Sequence, residues 1–78
     1  MSKKLFQIVS DVMSVPLSEL NDNSGPENIE SWDSFYGLLL VDELESKFNV
    51  TFSLEEVVDV KTISDIKRHL LNHGVSLE

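Results

Sequence analysis

The residues most suited to chemistry are an aspartate and a serine that adjoin in the segment SWDSF, at positions 31–35. Asp33 has the side chain of a helix N-cap, because its carboxylate can accept a hydrogen bond from an unpaired backbone N–H of the first turn. Ser34 then lies at the positive end of the helix dipole, where a phosphate ester is favoured. This position predicts a serine that carries a group rather than one that attacks a substrate.

The apolar residues that follow Ser34 recur at spacings of three and four, which predicts a second helix over residues 34–49. Tyr36 and Leu39 fall on its outward side, three residues apart. The positions expected to face the core are Gly37, Leu40, Val41, Leu44 and Phe48.

Three shorter helices are predicted around this one. Ser2 is the candidate cap of a first helix over residues 3–14, which ends before Pro16 because proline cannot continue the hydrogen-bond ladder. Ser53 can cap a short third helix over residues 54–59. Thr62 and Asp65 form a candidate capping box for the last helix.

The segment over residues 21–33 is predicted to be a long loop, because asparagine, aspartate, serine, glycine and proline cluster in it. Ile29 and Trp32 are its large apolar residues and are expected to anchor it to the helices. Leu17 and Leu20 are expected to pin its start, while Val57, Val58 and Val60 are expected to close the core. Together these elements predict an all-α fold, a small four-helix bundle with a long first loop and a short third helix.

Length and composition indicate one domain over residues 1–78, without cysteine and with a net charge of −8. An acidic surface argues against binding to nucleic acids and to anionic membranes. The longest apolar run, residues 35–41, is far shorter than a membrane span. We therefore expect a cytoplasmic monomer.

Lys47 is the only base between Glu19 and Asp59, a stretch that is otherwise rich in acids. One interpretation is a solvated face that keeps a small protein in solution. The other is a docking surface beside Ser34 for basic patches on partner proteins. Composition leaves both interpretations open.

Catalysis and metal binding are not expected from the remaining residues. His69 and His73 have the spacing of two metal ligands on one helical face, but surface histidines near a helix end explain them better than a metal site does. Asp33 and Ser34 are adjacent in sequence, without the nucleophile elbow and oxyanion hole that a hydrolase needs. The chain is therefore expected to be no enzyme.

The motif and the helix behind it resemble those of acyl carrier proteins. The resemblance rests on Asp33-Ser34-Phe35, on Trp32 before them, and on the residues that follow at Leu38, Leu40, Leu44, Glu45 and Phe48. It extends over residues 32–70 and, more loosely, through the first helix. It implies that a phosphopantetheinyl transferase moves 4′-phosphopantetheine from coenzyme A to Ser34, and that the thiol of this arm carries acyl or aminoacyl thioesters.

The resemblance also implies partners, because carrier proteins generally meet loading enzymes and synthases through an acidic second helix. The residues expected to contact partners are Tyr36, Leu39, Asp42, Glu43 and Glu45. Tyr36 and Leu39 depart from the polar pattern common in fatty-acid carriers. Fatty acyl, polyketide, aminoacyl and peptidyl cargoes all stay open. The alternative function is a small acidic helical adaptor without a prosthetic group, in which Ser34 merely occupies the start of the helix.

Overall fold

The computed structural model describes residues 2–77, which form four α-helices and no strand. A 3₁₀ turn at Leu17–Glu19 follows the first helix. The predicted all-α architecture, with a long first loop and a short third helix, is confirmed. The four helices are α1 (Lys3–Met13), α2 (Ser34–Phe48), α3 (Leu54–Asp59) and α4 (Ile63–Asn72).

The helix ends differ slightly from the prediction. Helix α1 ends at Met13 and α2 at Phe48, because the next residues, Ser14 and Asn49, adopt left-handed backbone conformations with φ of 56° and 55°. Ser2 does not cap α1 through its side chain, so that prediction is wrong. Its own φ is 57°, and its N–H donates to the Leu77 carbonyl oxygen at 2.7 Å. The start of α1 is thus tied to the end of the chain.

The core is built from α1, α2, α4 and the long loop. Two residues that the sequence assigns to it lie outside: Leu17 is 45% exposed and Val58 is 63% exposed. Val58 follows Val57 by about 100° around α3, so the short helix turns only one of the two inward. The buried apolar side chains are Leu5, Ile8, Val9, Met13, Ile29, Trp32, Leu40, Leu44, Ile63, Ile66 and Leu70.

The long loop is fastened to the helices by backbone hydrogen bonds. The carbonyl oxygens of Asp22 and Ser24 each accept, at 2.9 Å, from backbone N–H groups in the first turn of α4. The Ser31 hydroxyl donates to the Met13 carbonyl oxygen at the end of α1, at 2.8 Å. Ile29 and Trp32 are buried, which confirms them as anchors. The residues that lead into α2 are therefore fixed at both sides.

Candidate functional site

Asp33 is the N-cap of α2, as predicted. Its backbone is extended, and its Oδ1 accepts a hydrogen bond from the Tyr36 N–H at 2.9 Å. This bond satisfies one of the N–H groups that have no partner within the helix. Since Trp32 is buried just before the cap, the start of α2 is held in one place.

Ser34 is the first residue of α2, and its side chain is exposed. The cap is formed by Asp33, so the Ser34 hydroxyl is not needed to close the helix. An exposed hydroxyl at this end of a fifteen-residue helix is open to another protein and lies in the positive field of the helix dipole. The arrangement suits a covalently attached phosphate ester.

A cleft of about 550 Å³ begins beside Ser34 and runs between α2 and α3. Most of the side chains along it are apolar, and Val57, Val58 and Val60 contribute to its wall. Phe35, the residue after Ser34, does not line the cleft and is 64% exposed. Further lining residues are Trp32, Gly37, Leu38, Val41 and Ile66.

The outward side of α2 is more apolar than the sequence indicates. Tyr36 and Leu39 are each 40% exposed, in agreement with the prediction. Phe35 and Leu38 are still more exposed, and the rings of Phe35 and Tyr36 pack edge to face. Sequence reasoning missed these two residues, although four consecutive apolar residues at 38–41 cannot all face one core.

The structure brings together two of the three acids that were expected to contact partners. Asp42 and Glu43 line a groove of about 420 Å³ between α1 and α2, together with Leu39. The groove is completed by Ile8, Asp11, Val12 and Lys47. Glu45 lies apart from this groove, and its Oε2 accepts a hydrogen bond from the Phe52 N–H at 2.8 Å. Glu45 therefore helps to hold the connection between α2 and α3.

The sequence predicts that both histidines lie on the surface near a helix end, and for His69 this prediction is wrong. His69 is buried and faces carboxylates of α3 that are distant from it in sequence, namely Glu56 and Asp59. Tertiary packing brings these two acids to the imidazole ring, and no local sequence pattern could indicate this contact. Within residues 2–77, no group of three or more His, Asp or Glu side chains has the geometry to hold a metal ion.

Comparison with known proteins identifies the family of this chain. The family model described as "Phosphopantetheine attachment site" matches residues 3–70, which include all of α1, α2 and α3 and most of α4. No curated protein matches the chain. Among the described residues, no helix is long and apolar enough to cross a membrane. The chain belongs to the phosphopantetheine attachment-site family, whose members carry covalently bound 4′-phosphopantetheine.

Proposed function

We propose that this chain is an acyl carrier protein in which 4′-phosphopantetheine is attached to Ser34, and that it carries acyl or aminoacyl groups between biosynthetic enzymes. The observation that carries the proposal is the position of Ser34. Its side chain is exposed at the first residue of α2, beside an apolar cleft, while Asp33 alone caps the helix. Carrier domains are not catalytic themselves, so the chemistry of loading and transfer belongs to the partner enzymes.

The residues at the start of α2 fit the prosthetic group. Attachment replaces the bond between the phosphopantetheine phosphate and the nucleotide of coenzyme A by a bond to the Ser34 oxygen. The nucleotide leaves as adenosine 3′,5′-bisphosphate, and the hydroxyl proton is released. The dipole of α2 favours the anionic phosphodiester. When bound, the group supplies a terminal thiol that holds cargo as a thioester.

The cleft supports an apolar cargo. Its wall contains valine, leucine and isoleucine side chains, and it opens next to Ser34. A charged aminoacyl group would lose its hydration there without gaining a partner, which is unfavourable. We therefore expect the cleft to bind acyl chains in preference to charged aminoacyl groups.

The groove between α1 and α2 supports a docking face for partner enzymes. Leu39 offers apolar surface there, and Asp42 and Glu43 offer negative charge for a basic patch. Tyr36 lies one turn before Leu39 and is partly exposed, so it extends this face towards Ser34. Glu45 is left out of the face, since its carboxylate is engaged with the Phe52 backbone.

The extent of the core supports one carrier domain over residues 1–78. Buried side chains of α1, α2 and α4 meet in a single cluster, to which the long loop contributes Ile29 and Trp32. We propose that the protein acts as a cytoplasmic monomer, in which the partners described above provide all intermolecular contacts.

Intact-mass measurement after incubation with coenzyme A and a broad-specificity phosphopantetheinyl transferase tests the attachment. We expect the parent protein to gain one phosphopantetheinyl group and Ser34→Ala to gain none. Ser46→Ala is the matched control, because Ser46 is also an exposed serine of α2. It should be modified like the parent.

The opposite result would support the adaptor function. Modification of the Ser34→Ala variant would show that the prosthetic group is attached to another residue. A parent protein that several transferases leave unmodified, although it is folded by circular dichroism, would contradict the carrier proposal. An acidic helical adaptor without a prosthetic group would then explain the structure better.

A further inference from the structure

Trp32 has a hydrogen-bond donor that the fold does not use. The residue is only 5% exposed, and its indole ring has a single polar atom, Nε1, whose N–H can donate but not accept. No hydrogen bond within residues 2–77 involves this atom, although the side chains of the neighbouring Ser31 and Asp33 both bond to backbone groups. Folded proteins rarely leave the polar group of a buried side chain unpaired. The free N–H therefore indicates a partner from outside the fold.

This donor can be reached from the cleft beside Ser34. Among the described residues, every fully enclosed side-chain nitrogen or oxygen has a hydrogen-bond partner. Since the Trp32 Nε1 has no partner, it is not fully enclosed. Trp32 is one of the residues that line the cleft. The small exposed part of this buried ring thus includes its polar edge.

Gly37 leaves the same edge of the indole ring uncovered. A β-carbon at this position would lie 3.7 Å from the Trp32 Nε1 and 3.8 Å from its Cδ1, so any other residue would bring a side chain into contact with the N–H. Glycine is unfavourable inside a helix relative to alanine. The backbone does not require it here, because Gly74 is the glycine with a positive φ among the described residues. Access to the Trp32 N–H explains a glycine at this position.

Trp32 supplies the side-chain donor that stays in the cleft after the attachment. Of the described residues that line the cleft, only Trp32 and Ser34 have a side chain that can donate a hydrogen bond. The Ser34 hydroxyl is consumed by the attachment in the proposed function. The Gly37 N–H is also engaged, since it donates to the Asp33 carbonyl oxygen at 2.8 Å. A carbonyl group that enters this largely apolar cleft therefore has one side-chain donor available.

We propose that the Trp32 indole N–H binds the phosphopantetheine arm, by donating a hydrogen bond to the carbonyl oxygen of the amide group nearest the phosphate. The inference rests on the proposed function. An amide carbonyl loses its hydration when it enters an apolar cleft, and the bond from the indole N–H compensates for that loss. Trp32 is then a positioning residue, which holds the first part of the arm against the protein.

The distance along α2 decides which carbonyl group the indole meets. Gly37, against which the indole N–H lies, follows Ser34 by three residues, which is about 4.5 Å along the helix axis. The amide nearest the phosphate is only a few bonds from the attached Ser34 oxygen. The thioester and its cargo are at the far end of the arm, so they would reach Trp32 only if the arm folded back. The short separation therefore favours the amide as the acceptor.

Nuclear magnetic resonance of the indole N–H tests this contact. Trp32 is the only tryptophan of the chain, so its indole gives a signal of its own. The signal is recorded for the unmodified protein, for the protein modified from coenzyme A, and for the hexanoyl-loaded protein, each verified by intact mass. We expect the signal to move downfield on attachment, and its hydrogen exchange to slow about threefold to tenfold, the size of one net hydrogen bond. Loading of the hexanoyl group should add little further change.

Three variants separate the donor from the rest of the cleft. Gly37→Ala places a methyl group against the indole N–H, whereas Ser46→Ala changes an exposed residue of the same helix outside the cleft. The response of the indole signal to attachment should be reduced in Gly37→Ala and unchanged in Ser46→Ala. Trp32→Phe keeps an aromatic ring but removes the donor. In this variant, once circular dichroism shows that it is folded, the methyl signals of the attached arm should move towards their positions in free coenzyme A.

An indole signal that attachment leaves unchanged would overturn the inference. A signal that changes only after hexanoyl loading would overturn it too, because the acceptor would then belong to the cargo. Equal responses of Gly37→Ala and Ser46→Ala would have the same meaning. A parent protein that gains no mass would contradict the proposed attachment itself, and the inference with it. Since intact mass and the indole signal are measured on the same sample, the two failures are distinguishable.

Discussion

Gly25 of the long loop lies directly against the backbone carbonyl group of Lys61, so closely that a β-carbon on Gly25 would overlap the carbonyl oxygen. Only glycine permits this approach of two backbones. Because of it, the Asp22 and Ser24 carbonyl oxygens reach N–H groups in the first turn of α4, which have no partner within the helix. The loop that leads to Ser34 is thus fitted to the start of α4.

Replacement of Gly25 by alanine should destabilise the protein by about 1–3 kcal/mol, since backbone must shift to admit the new atom. Urea unfolding followed by circular dichroism measures the loss. Gly37→Ala is the control. A β-carbon there would lie 3.7 Å from the Trp32 ring, an ordinary contact, so this helical position should gain up to about 1 kcal/mol. If the free energy of unfolding changed in the same direction in both variants, the close backbone contact assigned to Gly25 would be contradicted.

The elements that could be predicted from the sequence are those fixed by neighbouring residues. The cap of α2 by Asp33, the cap of α3 by Ser53, and the pairing of Thr62 with Asp65 at the start of α4 are all contacts over three residues, and the structure confirms them. The close approach of Gly25 and the burial of His69 join residues far apart in the sequence. No local spacing encodes those distances, so they could not be predicted.

Asp65 should make the fold sensitive to acid. The pKa of its carboxyl group is lowered, chiefly by a hydrogen bond from the Lys61 N–H and then by Arg68 and the Thr62 N–H. A lowered pKa stabilises the fold above the ordinary aspartate value, and the benefit is lost as the pH falls through that region. Asp65→Asn should therefore have a flatter decline of melting temperature below about pH 5 than the parent. The exposed Asp42→Asn should decline like the parent, and an Asp65→Asn curve that does the same would refute the prediction.

Leu39 should affect partner recognition more than stability. It is 40% exposed, so Leu39→Glu should cost no more than about 1 kcal/mol of unfolding free energy. Modification by the transferase should nevertheless slow, seen as a lower kcat/KM. The neighbouring Leu40 is buried, and Leu40→Ala should cost about 2–5 kcal/mol. A comparable loss of stability in Leu39→Glu would assign Leu39 to the core instead.

Asp42 should steer association with a basic partner. Reversal of its charge in Asp42→Lys should lower the association rate more than it raises the dissociation rate, since long-range attraction acts before contact. The rate for the parent should also fall as salt rises, because exposed charges are screened beyond about 8–10 Å at physiological ionic strength. Glu19→Lys, an equal change in the exposed 3₁₀ turn, should have a smaller effect. Stopped-flow measurements at several salt concentrations would count against steering if the rate stayed constant.

The groove at Leu39 and the cleft at Ser34 lie on opposite flanks of α2, one towards α1 and the other towards α3. In the proposed function, partner binding and cargo binding therefore use separate faces of the same helix. An enzyme that binds the α1 flank leaves the α3 flank uncovered, so cargo can leave the cleft while the carrier protein stays bound to the enzyme. Transfer of the cargo would then need no dissociation and rebinding of the carrier protein. The affinity for the enzyme could also evolve independently of the size of the cargo.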